Sequence, residues 1–169
     1  MTTKTSMHID PYERTWMIVS AVMLVVFLVA VSVAGFAMGI QLPNPDRRVD
    51  PKTVATDPES PWHPDNVGLH ELAPGKYEAY ILASQTQGWR FIPNELSVPA
   101  GSTVTFYVTS QDLIHGFKLE NTNVNMMVIP GQVSKLTVTL ESPGTYNFIC
   151  HEYCGTGHAI MYGKVTVTP

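Results

Sequence analysis

The sequence predicts an all-β domain carried on one N-terminal transmembrane helix. Two observations lead there. Trp16–Ile40 contains no charged residue over 25 positions. From Lys76 onward, short runs of alternating apolar and polar residues are separated by turn signals. An uncharged run of that length crosses a bilayer, for which about 20 residues suffice. Many short strands at regular spacing build a sandwich or a barrel.

Taken in order, residues 1–15 are polar and read as a membrane-face segment. Residues 16–40 are the span, rich in Val, Leu, Ala and Met, with Trp16 placed to anchor one interface. The apolar core of a cleaved signal peptide has about 7–15 residues, so this longer run reads as a retained anchor. Lys4 and Arg14 precede it, and Arg47, Arg48 and Lys52 follow, so the positive-inside rule does not fix its orientation. Residues 41–75 contain Pro43, Pro45, Pro51, Pro58, Pro61, Pro64 and Pro74 and read as a linker and lead-in. Trp62 is placed to pin that segment, and His63 and His70 read as exposed loop histidines.

Residues 76–169 form the β domain. Strands are expected over 77–82, 103–108, 115–119, 124–129, 133–140, 146–150 and 164–167. Pro99-Ala100-Gly101, Pro130-Gly131 and Pro143-Gly144 supply turns between them. Met126 and Met127 fall in a strand. About 90 residues suffice for one small core. Only 14% of residues are charged, and no basic run or interleaved basic-aromatic surface suggests nucleic acid. From Val49 onward 11 acidic residues face 6 basic ones, a net charge of -5 that attracts a cationic partner modestly.

The chemistry concentrates in Cys150–Met161, which holds both cysteines of the chain. Thiolate, imidazole and thioether form a soft ligand set that selects copper(I), zinc or iron–sulfur over magnesium or calcium. A methionine among the donors points away from structural zinc and toward copper. Cys154, His158 and Met161 with His115 would satisfy one copper and leave Cys150 over. Two thiolates four residues apart, two histidines and a methionine suit two metals bridged by both sulfurs. A structural disulfide is the alternative, but it explains neither His158 nor Met161.

His115 followed by Cys150-x-Glu152-x-Cys154-x-x-x-His158-x-x-Met161 resembles the binuclear CuA motif of subunit II of haem–copper cytochrome c oxidases. One preceding helix instead of two resembles the short B-type subunit II. The resemblance implies a cupredoxin-like Greek-key sandwich with its metal at one end. It implies that Cys150 and Cys154 bridge two coppers, with His115 and Met161 completing one and His158 and the Glu152 carbonyl completing the other. The Glu152 side chain has a second implied role, at a magnesium ion shared with subunit I. The implied partners are subunit I with its haems, a small third subunit, and cytochrome c or another soluble donor. The copper domain is then expected on the outer, periplasmic side of the plasma membrane, held by a single pass.

Trp89, Phe91 and Tyr153 are candidates for the surface where electrons enter. Tyr12-Glu13-Arg14-Thr15-Trp16 resembles the B-type segment whose carboxylate, here Glu13, sits at a proton-uptake channel. His151 reads as a solvent-facing loop residue. A one-copper carrier working alone is disfavoured by Cys150, and a copper chaperone fits poorly with a fixed site in a sandwich.

Overall fold

The structure is a computed structural model that describes residues 9–38, 40 and 44–169. Lys4 and the rest of residues 1–8 lie outside the described residues, as do Gly39 and residues 41–43, Pro43 among them. The chain divides into two compact units, Met1–Gln41 and Leu42–Pro169.

The first unit is helix α1, Pro11–Ser32, continued by a wider π turn over Val33–Ala37. It starts five residues before the expected span. The reason is local: the Asp10 side chain accepts from the Tyr12 N–H at 2.8 Å, Pro11 fills the first turn, and Glu13 complements the helix dipole there. Pro11–Ala37 is long and apolar enough to cross a membrane, with a mean hydropathy of 2.9 over its most apolar stretch. Apolar residues surround the helix on all sides, the pattern of a span rather than of an amphipathic surface helix.

The second unit is the expected cupredoxin-like sandwich. Its strands are β1 (Asn44–Arg48), β2 (Gly68–Ala73), β3 (Lys76–Ser84), β4 (Arg90–Ile92), β5 (Glu95–Pro99) and β6 (Ser102–Ser110). They continue as β7 (His115–Leu119), β8 (Asn125–Val128), β9 (Gln132–Leu140), β10 (Gly144–Ile149) and β11 (Tyr162–Thr168). One sheet runs β1-β9-β6-β3-β2, with β4 on β3; the other runs β5-β11-β10-β7-β8. The pairs β3–β6 and β5–β11 are parallel and the remaining pairs antiparallel. Between the sheets, Phe91, Phe106, Phe117 and Phe148 pack with ring centroids 5.1–5.5 Å apart. Met126 is buried in this core, whereas Met127 points out.

Residues 44–75 are more ordered than a linker. β1 pairs with β9 through a register shift between Pro45 and Arg47. An edge strand tolerates a proline there, because one side of its ladder needs no donor. His70 lies on β2, exposed as expected but in a strand rather than a loop. Trp62 is 1% exposed and packs with Val54, Leu82, Tyr107 and Val133 on the outer face of the first sheet. Its Nε1–H donates to the Tyr107 carbonyl at 3.3 Å. Arg47 lies over both the Trp62 and Tyr107 rings. The tryptophan therefore pins this segment to its own domain.

What matters for the site is the register at one end. Ile149 of β10 opposes Lys118 of β7, so Cys150, one step beyond, runs toward His115 at the start of β7. The Cys150 N–H donates to the Met161 carbonyl at 3.1 Å, which ties the end of β10 to the start of β11. The intervening loop is closed at its base.

Candidate metal centre

Five side chains predicted from the sequence meet at this end. The sulfurs of Cys150 and Cys154 lie 3.8 Å apart. His115 Nδ1 is 3.9 Å from Cys150 Sγ, and the Glu152 carbonyl is 3.2 Å from the same sulfur. His158 Nδ1 and Met161 Sδ are 3.7 and 3.8 Å from Cys154 Sγ. Both cysteines are free thiols, so the disulfide alternative does not hold.

These spacings suit a soft metal. Metal–sulfur bonds of roughly 2.3 Å and metal–nitrogen bonds of roughly 2.0 Å, at tetrahedral angles, place two donors about 3.5–3.8 Å apart. Each neighbouring pair in the cluster falls at or close to that range. His115, Cys150 and Cys154 alone already form a group able to hold an ion. His115 is fully buried, Cys150, Cys154 and Met161 are nearly so, and His158 is half-buried. A buried set of polarisable donors with so few hydrogen-bond partners is what a metal would satisfy.

The loop holds its shape for identifiable reasons. Gly155 has φ of +112°, a conformation that strains any residue with a Cβ. Gly157 is needed for a different reason, since a Cβ there would enter the Trp89 ring. Trp89 donates from Nε1 to the Cys154 carbonyl at 2.9 Å and covers both glycines. It sits at φ of 50°, in the left-handed region, which its contacts with the loop maintain. A short 3₁₀ turn over His158–Ile160 then brings His158 and Met161 to the same side.

Sequence reasoning missed Asp112. Its Oδ1 accepts from His115 Nε2 at 3.0 Å and from the Leu113 N–H at 2.7 Å. Its Oδ2 accepts from the Gln85 and Thr86 N–H groups at 2.7 and 2.9 Å. Because a carboxylate can only accept, His115 Nε2 carries the proton and Nδ1 is left to face the sulfurs. Burial pushes the Asp112 carboxyl up, but the His115 bond and the backbone donors outweigh it and hold it well below the usual range. Burial likewise pushes the His115 imidazole down, and its bonds to Asp112 and Cys150 outweigh that and raise it. A carboxylate three residues before a candidate histidine ligand was the available signal.

The two thiols differ. Burial pushes Cys150 up, yet hydrogen bonds from His115 and at the Gly116 and Glu152 backbone bring it down to about 7. Cys154 is pushed up to about 12, by burial first and then by the neighbouring Cys150 charge. Cys150 is thus the more readily ionised of the two thiols.

The other candidates separate. Tyr153 is 79% exposed, with its ring 6.0 Å from His158. Trp89 is half-buried beside the loop. Phe91 is 1% exposed, inside the phenylalanine core, and so offers no surface for electrons to enter. His151 is exposed as expected, but its ring lies against Gly116, where a Cβ would collide with it. Glu13 is exposed in the first turn of α1.

Residues 75–167 match the family model for cytochrome c oxidase subunit II, periplasmic domain. This chain belongs to the cytochrome c oxidase subunit II family. It is similar to a cytochrome c oxidase subunit 2 of Thermus thermophilus, 39% identical over 158 residues, which cover 92% of this chain and 91% of the relative. It is also similar to heme-copper oxidase subunit 2 of Aeropyrum pernix, 40% identical over 76 residues, covering 44% of this chain and 32% of that one. Among solved structures, a chain of a heme-copper terminal oxidase dimer superposes with a TM-score of 0.73 at 31% identity. That match covers 92% of this chain and 99% of the other. Membership in the subunit II family makes the chain part of an oxidoreductase complex.

Proposed function

We propose that this chain is the electron-accepting subunit of a haem–copper terminal oxidase and holds a binuclear CuA centre. The observation that carries the reading is the paired thiols at 3.8 Å, each flanked by one imidazole nitrogen and one further donor. Cys150 and Cys154 would hold both coppers, His115 and Met161 would complete one, and His158 and the Glu152 carbonyl would complete the other. Such a centre supplies a one-electron carrier whose charge is shared between two metals.

The chain's own residues do the rest. Asp112 fixes the His115 tautomer, and Trp89 fixes the Cys154 carbonyl. Ligands held this firmly move little between oxidation states, and little movement means a low barrier to electron transfer. Trp89 and Tyr153 lie where a soluble donor, cytochrome c or a protein like it, would deliver electrons. Subunit I receives them at haem and reduces O2 to water with proton pumping, and a small third subunit completes the complex. The Glu152 side chain, partly exposed and 3.9 Å from His151 Nδ1, would share a magnesium ion with subunit I. Glu13 stands at the mouth of the proton-uptake channel of subunit I. The copper domain lies on the outer, periplasmic face of the plasma membrane, with α1 as a single pass.

The full chain, in detergent and loaded with copper, tests the reading. Two copper ions per chain and a paramagnetic resonance spectrum split by two equivalent copper nuclei are expected. A single-nucleus pattern at full loading would mean a one-copper carrier. Copper held with no such signal under mild oxidation would mean a chaperone.

A further inference from the structure

His115, Cys150, Cys154 and Met161 are buried and His158 is half-buried, so a copper ion must reach most of the set by some path. Three groups cover parts of the cluster. Trp89 lies over Gly155 and Gly157. The His151 ring lies against Gly116. Asp112 and its ring of N–H and hydroxyl donors occupy the Nε2 side of His115. Beside the cluster lies a cavity of about 330 Å³. Cys150, His158 and Met161 line its floor, while His115 and Cys154 do not reach it. Its walls include Glu120, Asn147, Ala159 and Tyr162.

We propose that this cavity is the loading path for copper(I), with Glu120 as the group that draws the cation in. The inference rests on the copper reading of the site. Glu120 is fixed to Asn147 twice: its backbone N–H donates to the Asn147 carbonyl at 2.8 Å, and Asn147 Nδ2 donates to its Oε2 at 2.9 Å. An anchored carboxylate on the wall of a cleft raises the local concentration of a small cation. The soft donors on the floor then take the ion from water in order of reach. Met161, His158 and Cys150 line the cavity and so would meet the ion first. Cys154 and His115, behind them, complete the set. Ala159, small and exposed, leaves the mouth open.

The test uses the full chain in detergent, prepared without copper and mixed anaerobically with copper(I) supplied as its acetonitrile complex. The rise of thiolate-to-copper ultraviolet absorption gives the uptake rate. Copper per chain, and the resonance spectrum after one-electron oxidation with ferricyanide, give the end state. Ala159→Trp is expected to slow uptake at least about tenfold while the end state keeps two coppers and the same spectrum. Glu120→Gln is expected to slow it about threefold, with a weaker dependence on ionic strength, and Glu120→Asp to restore most of the rate. Ala73→Trp, on exposed β2, is the control and should load at the parent rate. Equal rates for Ala159→Trp and the parent chain would overturn the path while leaving the copper reading intact. An altered end-state spectrum in Ala159→Trp would also overturn it, because the wall would then be shaping the site rather than passing the ion. A parent chain that takes up no copper would overturn the reading beneath it.

Discussion

Two irregular segments of the β domain are held in place by opposite means. The loop from Cys150 to Met161 is fixed through polar atoms: the Cys150 N–H on Met161, the Trp89 indole on Cys154, and Asp112 behind His115. The segment from Val49 to Val67 centres on one buried indole, Trp62, among Val54, Leu82, Tyr107 and Val133, with hydrogen bonds around it such as Ser60 Oγ to the Val54 carbonyl and Trp62 Nε1 to the Tyr107 carbonyl. The first arrangement sets donor directions to within a hydrogen bond's tolerance while Cys150, Cys154 and Met161 also join the core. The second contributes stability and has no chemistry of its own. Ordered loops therefore need not be functional, and the two kinds can be told apart by what breaks them.

Cys150→Ser is expected to break the first segment most completely. The second bridge disappears, copper content falls from two to at most one per chain, and the two-nucleus splitting vanishes. Two coppers with an unaltered spectrum would remove Cys150 from the ligand set. Trp62→Ala should do the reverse, destabilising the domain by about 3–5 kcal/mol while the protein that stays folded keeps its copper spectrum. Chemical denaturation and resonance on the same sample separate the two effects.

Asp112→Asn probes the border between these behaviours. The carboxyl is held well below its usual range, so its stabilisation is present above about pH 4 and is lost as the pH falls toward its folded value. Copper-free Asp112→Asn should therefore lose about 2 kcal/mol near pH 7 and progressively less below pH 4. An equal loss at every pH would show that the charge is not what matters. With copper, the same variant should shift the reduction potential, since the His115 tautomer is no longer imposed. Met161→Leu should have the smallest effect. A thioether is a weak ligand, so both metals stay and the potential moves. Loss of all copper would show that Met161 is a structural ligand.

The contrast also explains what could be read from the sequence. Each donor of the metal loop except the Glu152 carbonyl carries its chemistry in its side chain, so composition and spacing located Cys150, Cys154, His158 and Met161 together. His115 was found because the set needed a second histidine from an earlier strand. Asp112 was not, because it lies outside the ligand set and three of its partners, the N–H groups of Gln85, Thr86 and Leu113, are backbone donors, which leaves its spacing to His115 as the one signal. The prolines of 41–75 signalled breaks, and the edge strand β1 forms in spite of Pro45 because an edge needs fewer donors. β5 does alternate, burying Leu96 and Val98 and exposing Glu95 and Ser97. Five residues ending in proline are too short a run to stand out. Phe91 reads as a neighbour of Trp89, yet in β4 its side chain turns inward while Trp89 stays at the loop.

The three tryptophans of the chain are distributed one to each setting. Trp16 is exposed on α1, Trp62 is sealed on the outer face of the sandwich, and Trp89 rests against the Cys154–Gly157 turn. The molecule thus carries its own set of optical reporters. Emission from Trp62 is shifted to the blue and follows unfolding of the sandwich. Emission from Trp89 should be quenched if a coloured ion fills the loop. Emission from Trp16 responds to the surrounding lipid or detergent. Removing the indoles one at a time would give light signals for folding, metal filling and membrane insertion from a chain with no added dye.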